Sequence, residues 1–189
     1  MNFPILLASL FFQTDVRFTD SNDCGPNCLF VAIIAQAQNS SVSLLDVQKA
    51  IPASKKGCSL GDLAQAAEQL GCNAQSVKTS LECLESRAKP FSCIAHLSTG
   101  HFVLLSAITD STVDVIDPPQ TFTMPRSQFE ASWSRNCLLI SNRVLEPEEA
   151  IAKRLMTMQW IWRAVYGAAA AAAVLCLFFI WRYMERRRS

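Results

Sequence analysis

The run Asp23-Cys24-Gly25-Pro26-Asn27-Cys28-Leu29-Phe30 stands directly before an apolar stretch with helical spacing, and far downstream come Gly100-His101-Phe102-Val103 and Ile116-Asp117-Pro118. No other feature constrains the fold as much. If the three segments act together, a helix must begin at Cys24, a strand must begin just after His101, and a neighbouring strand must end at Asp117. The gap from His101 to Asp117 is short enough for two adjacent strands joined by a turn.

The residue types give a reason for the three to meet. A thiolate, not a thiol, is the nucleophile, and both a helix N-terminus and a nearby imidazolium favour the thiolate. An imidazole must then carry the proton from nucleophile to leaving group, and a third residue must hold its other ring nitrogen in one tautomer. Cys24, His101 and Asp117 stand in the order of a papain-like site, with the nucleophile on a helix and the base and acid on a sheet. Gly25 next to the thiol would let a substrate backbone approach closely. Pro118 and Pro119 would end the strand and fix the carboxylate. Cys28 lies one helical turn beyond Cys24 and reads as core, and His96, on the preceding strand, reads as structural.

Periodicity along the rest of the chain supports an α+β domain with helices first and an antiparallel sheet second. Leu29, Ala32, Ile33 and Ala37 recur at helical spacing from Pro26 to about Gln38. Ser43-x-x-Asp46, Ser59-x-x-Asp62 and Thr79-x-x-Glu82 are capping boxes that predict three further short helices, the second ended by Gly71. Phe91 to Leu97, Phe102 to Ile108 and Thr112 to Ile116 are apolar runs rich in β-branched and aromatic residues, separated by turn residues, which predicts a meander. Gln120 to Met124 and Asn136 to Ser141 would add strands, with a short helix starting near Ser127 between them.

Residues from about 20 to 141 resemble the peptidase domain of bacteriocin-processing ABC exporters, the cysteine peptidases that remove double-glycine leader peptides. The resemblance rests on Asp23 to Leu29, Gly61 to Gly71, Pro90 to Leu97, Gly100 to Leu105, Ile116-Asp117-Pro118 and Phe129 to Trp133, in the family's order and approximate spacing. It implies a papain-like cysteine peptidase fold with Cys24 as nucleophile, His101 as general base and Asp117 as orienting acid. The family's oxyanion glutamine, upstream of the nucleophile, falls on Phe18; Asn22 and Gln13 are the nearby residues that could supply a donor in its place. Such a donor is worth roughly 10²- to 10³-fold in turnover. The implied activity is hydrolysis of a peptide bond after a double-glycine leader. Two alternatives stay open: a non-catalytic module that holds leader peptides for a separate ABC exporter, and another papain-like acyl-transfer enzyme. There is no glycine-rich phosphate loop ending in Lys-Ser or Lys-Thr, so this chain is not itself expected to drive export with ATP.

Half of the residues are hydrophobic, and the excess is local. Ala164 to Trp181 contains no charge, and at about 1.5 Å per residue it nearly crosses a hydrocarbon core of roughly 30 Å. Trp160, Trp162, Tyr166, Trp181 and Tyr183 bracket it as interfacial aromatics do. The expected organisation is therefore an N-terminal apolar segment over 1–19, acting as signal or anchor, and a peptidase domain over 20–145. A charged juxtamembrane segment over 146–160, a transmembrane helix over 161–182 and a basic tail over 183–189 would follow. Arg182, Arg186, Arg187 and Arg188 after the helix, against Lys153, Arg154 and Arg163 before it, leave open which side of the membrane holds the domain.

Seven of the eight cysteines precede the apolar run and Cys176 lies within it, a usage that fits disulfides and buried thiols equally. Histidine occurs only at His96 and His101, and no Cys-x-x-Cys pair is present, so no metal site is expected. No cofactor and no nucleic-acid partner are expected either. The partners implied are a peptide or leader peptide, a membrane and a separate ABC exporter.

Overall fold

Strands that are apolar at consecutive positions must be covered on both faces, and three runs in this chain are of that kind. In the computed structural model, which describes residues 23–36, 41–52, 57–87 and 90–186, they form the middle of a sheet. The chain order is helix α1 (Cys24–Gln36), α2 (Leu44–Ala50), α3 (Leu60–Gln69), strand β1 (Asn73–Lys78) and α4 (Leu81–Ser86). Then come β2 (Ser92–Leu97), β3 (Phe102–Ile108), β4 (Thr112–Asp117), β5 (Gln120–Pro125), α5 (Arg126–Ser132), β6 (Trp133–Ser141) and α6 (Glu148–Arg186). Among the described residues the sheet is six-stranded, in the order β1-β6-β2-β3-β4-β5, with each neighbouring pair antiparallel. The α+β class and the antiparallel sheet expected from the sequence are what form.

Strand alternation divides the core in two. Ile94, Phe102, Leu104, Ile116, Leu138 and Ile140 face α1, α2 and α3 and pack with Leu29, Ile33, Val47 and Leu63. Their alternates Cys93, Ala95, Val103, Leu105, Val115 and Leu139 face the other way, against Leu81 and Leu84 of α4 and Phe129 of α5. Helix α1 is buried along nearly its whole circumference, from Gly25 to Ile33. That explains why its apolar residues show no single stripe: a helix apolar all round belongs inside. It begins at Cys24 itself, two residues before the sequence pattern placed it.

Two expected capping boxes are present, with Ser43 accepting from the Asp46 backbone and Ser59 from that of Asp62, and both carboxylates bonding back to the cap residue. The third is shifted by one residue. Ser80, not Thr79, caps α4 and accepts from the Cys83 N–H, while the Thr79 N–H is taken by Arg135 O at 2.9 Å. Helix α3 ends as expected at Gly71, whose φ of 83° lets Cys72 N–H donate back to Ala67 O at 2.9 Å. Strand β1 has no counterpart among the expected strands. Its sequence Asn-Ala-Gln-Ser-Val-Lys buries only Val77, because it is an edge strand paired to β6 alone.

The chain divides into two compact units, 1–145 and 146–189. The second is built on α6, a helix of 39 residues with exposed Met156, Trp160, Trp162 and Tyr166. Within it Arg154 pairs with Glu146, Trp162 stacks on Tyr166 with centroids 5.8 Å apart, and Arg163 lies over the Trp160 ring. Among the described residues no helix is long and apolar enough to cross a membrane. The transmembrane helix expected over 161–182 is thus not supported by the structure, which describes no side chain beyond residue 173. The segment 1–19 lies outside the described residues.

The Ser59 box carries a pH signature. Hydrogen bonds from the Ser59 backbone and hydroxyl hold the Asp62 carboxyl below its ordinary 3.8. A depressed folded value gives stability that is full above the unfolded value and is lost as pH falls through the folded one. Urea titrations from pH 6 to pH 2 should show this contribution fading below about pH 4. Ser59→Ala should cost about 1 kcal/mol near neutral pH and flatten that part of the profile.

Candidate active site

The turn 98–100 and the end of β4 bring one histidine and one carboxylate together. Gly100, with φ 86°, closes the turn by donating to Leu97 O at 3.0 Å, and Leu97 N–H donates to His101 O at 2.8 Å. The backbone of His101 is thereby fixed at the entry to β3. Asp117 is the last residue of β4, and Pro118-Pro119, joined by a cis peptide bond, leads to Gln120, which pairs back with Asp117. Between the side chains His101 Nε2 and Asp117 Oδ2 are 2.9 Å apart. Each side chain is about one-third exposed (32% and 35%), so the pair is held by the fold yet open to a ligand. With Nε2 committed to the carboxylate, Nδ1 is the nitrogen left to exchange a proton.

Cys24 is the first residue of α1, half-buried, with a free thiol. One helical turn later the Cys28 thiol donates to Phe102 O at 3.4 Å, which ties the first turn of α1 to the residue after His101. Burial pushes the Cys28 thiol well up, and Cys24, Asp117 and Cys58 push it further, in that order. The Cys28–Phe102 bond sets the start of α1 beside the start of β3, and the His101–Asp117 bond joins the start of β3 to the end of β4. Cys24, the first residue of α1, is thus at the same end of the sheet as His101 and Asp117.

Core packing by itself requires a glycine at position 25. A Cβ on it would come within 2.4 Å of the Cys58 sulfur, 3.3 Å of the Phe102 ring and 3.4 Å of Leu63. What approaches the backbone closely is the protein's own core. Cys58 is the residue of this cluster that sequence reasoning missed: it lies in the connection before α3, and no periodicity links it to Cys24.

The remaining expected residues separate cleanly. His96 is structural, with Nδ1 3.2 Å from Ser134 Oγ and its ring against Phe102. Because that hydroxyl donates to His96 O at 2.6 Å, Nδ1 is the donor in the first bond. Cys28 is core. Asn22 and Gln13, the candidate oxyanion donors, and Phe18 lie outside the described residues. Among the described residues no group of His, Cys, Asp and Glu is arranged to hold a metal.

Comparison with known proteins gives consistent results. The peptidase C39 family matches residues 14–144. The pediocin PA-1 transport/processing ATP-binding protein PedD of Pediococcus acidilactici is 24% identical over 132 residues, which is 66% of this chain and 18% of that protein. The colicin V secretion/processing ATP-binding protein CvaB of Escherichia coli is 30% identical over 103 residues, 54% of this chain and 14% of that protein. The chain thus spans less than a fifth of these relatives' length. Among solved structures, the double glycine motif protease from an AMS/PCAT transporter, in complex with the leader peptide, superposes with a TM-score of 0.57 at 22% identity, covering 66% of this chain and 88% of that one. The peptidase domain of Streptococcus ComA gives 0.58 at 19% identity, covering 68% and 97%. The fold is shared.

The Gly25 contact is testable by a double-mutant cycle. Ala for Gly in a helix ordinarily stabilises by roughly 0.5–1 kcal/mol. Here Gly25→Ala should instead destabilise by about 1–3 kcal/mol, as overpacking does, and Cys58→Ala in the same chain should recover part of that loss. Chemical denaturation of the four proteins measures the coupling.

Proposed function

The chain belongs to the peptidase C39 family, and on that premise we propose that it is a cysteine peptidase that hydrolyses a peptide bond after a double-glycine leader, using Cys24, His101 and Asp117. The observation that carries this reading is the 2.9 Å His101–Asp117 pair at the end of the sheet where α1 begins with Cys24. The relatives named for transport and processing, and the solved double glycine motif protease with its leader peptide, favour the same substrate class.

In this reading His101 takes the Cys24 proton, and the sulfur attacks the carbonyl carbon of the scissile bond. Charge collects on the carbonyl oxygen, where backbone N–H groups at the start of α1 can meet it. The tetrahedral intermediate collapses as His101 protonates the leaving amine, which gives a thioester on Cys24. Water, deprotonated by His101, then attacks the thioester, and Cys24 leaves as the thiolate. Asp117 keeps the imidazole in the productive tautomer throughout and stabilises the imidazolium.

Purified full-length chain should cleave peptides carrying a double-glycine leader, and Cys24→Ala should reduce cleavage to background. Asp117→Asn should leave KM near the parent value and lower kcat by roughly 10²- to 10⁴-fold. Iodoacetamide at slightly acidic pH should label Cys24 before the buried Cys28, Cys93 and Cys137. Selective labelling without cleavage of any leader peptide would favour a leader-binding module instead.

We also propose that α6 anchors the protein to a membrane, with a separate ABC exporter as partner. Support comes from the sequence, where Ala164 to Trp181 carries no charge, and from the exposed Trp160, Trp162 and Tyr166 before the apolar run. Full-length protein should stay with membranes through an alkaline carbonate wash, and a chain ending near residue 150 should not. Recovery of the full-length protein in the wash would overturn the anchor.

A further inference from the structure

Cys58 takes no part in the proteolytic steps, yet it stands beside them. It lies between Gly57 and the α3 cap residue Ser59, outside any helix or strand, half-buried and unbridged. Its sulfur rests against the Gly25 backbone, one residue from Cys24. Burial and then the neighbouring Cys24 hold the Cys58 thiol up at about 11. Cys28 is the competing neighbour of Cys24, but it is fully buried and occupied by Phe102 O. It also follows Cys24 on one helix, where both Cα–Cβ bonds tilt the same way instead of toward each other. Cys58 comes in from a separate segment. Thiols of this cluster do not form a metal site among the described residues.

We propose that Cys24 and Cys58 form a reversible disulfide in the presence of a hydroperoxide, with Cys58 as the resolving thiol, and that this bond switches the peptidase off. The effect on cleavage rests on the reading of Cys24 as nucleophile. In the first step the Cys24 thiolate attacks one peroxide oxygen, the O–O bond breaks, and its electron pair leaves on the other oxygen. Sulfur is oxidised to sulfenic acid, and the departing oxygen takes the proton that His101 received from Cys24, so the peroxide is reduced to water or an alcohol. Next the Cys58 sulfur attacks the sulfenyl sulfur, the S–S bond forms as the S–O bond breaks, and the departing hydroxide combines with the Cys58 proton as water. A dithiol returns both residues to thiols by two exchanges. Conversion of Cys24 to the sulfenic acid removes the neighbouring charge that, second to burial, holds the Cys58 thiol up. The disulfide then also shields Cys24 from oxidation beyond the sulfenic stage.

The test treats the full-length chain with hydrogen peroxide, blocks remaining thiols with iodoacetamide, digests with trypsin and reads links by mass. Parent protein should yield peptide 18–49 joined to peptide 57–78, with fragmentation placing the bond between Cys24 and Cys58, and dithiothreitol should restore leader cleavage. Cys58→Ser, which should cleave at the parent rate before oxidation, should give no such link, accumulate sulfinic acid at Cys24 and fail to recover. A link to Cys28 or Cys72, or full recovery of the Cys58→Ser protein, would overturn the proposal. The two readings fail separately: cleavage without the link removes the disulfide alone, whereas the link in a protein that cleaves no leader peptide removes the peptidase assignment alone.

Discussion

The contact on which the rest of the structure depends is the seat of the first turn of α1 on the start of β3. Cys28 donates to Phe102 O, and Gly25 leaves room for the Phe102 ring and the Cys58 sulfur. A helix as evenly buried as α1 gains its stability from burial on all sides, so it has little freedom to slide. Its first residue is then located relative to His101, the residue just before Phe102. The position of Cys24 thus follows from core packing and is not set by an exposed loop.

The two ends of the sheet divide the work. At the end of β3 remote from His101, Arg126 reaches Glu82 and Glu85 of α4, Glu130 of α5 and Thr109 O in the β3–β4 turn. The guanidinium fork suits several acceptors at once, so it ties α4 and α5 to the sheet where no chemistry is proposed. Between α1 and β2 a buried chain of bonds runs from Gln36 to Ser92 and from Ser92 to Ala32 O. The opposite end, with His101 and Asp117 each about one-third exposed, is left open to solvent.

The readable parts of the sequence were those governed by local rules. Apolar runs gave β2 to β4, Ser-x-x-Asp gave the caps of α2 and α3, and Gly71 gave the end of α3. Strand β1 was unreadable because an edge strand with one buried side chain has no alternation to detect, and its existence depends on β6, far along the chain. The α4 cap slipped because Thr79 and Ser80 are equally competent hydroxyls, and pairing of Thr79 with Arg135 O decides between them. For the site, motif order together with the family resemblance pointed to Cys24, His101 and Asp117, each the end residue of an element or next to one. Cys58 has no such marker. Its place beside Gly25 is a tertiary fact, set by how α3 packs on α1.

Four thiols of this domain are suppressed. Cys28 is pushed up chiefly by burial, Cys58 by burial and Cys24, and Cys72 by burial. Cys93 is pushed up by its hydrogen bond with Cys137, on the neighbouring strand, and then by burial. Sulfur packs as a small hydrophobe in these places, and an inert thiol costs the fold nothing. A peptidase nucleophile among so many cysteines is singled out more sharply when its neighbours are suppressed. Cys24 differs from the buried thiols in standing half-exposed at a helix start, and Cys58 differs in being the suppressed thiol packed against the Gly25 backbone. On the proposed reading, the same crowding that places the helix start supplies both the selectivity of one sulfur and the means of masking it.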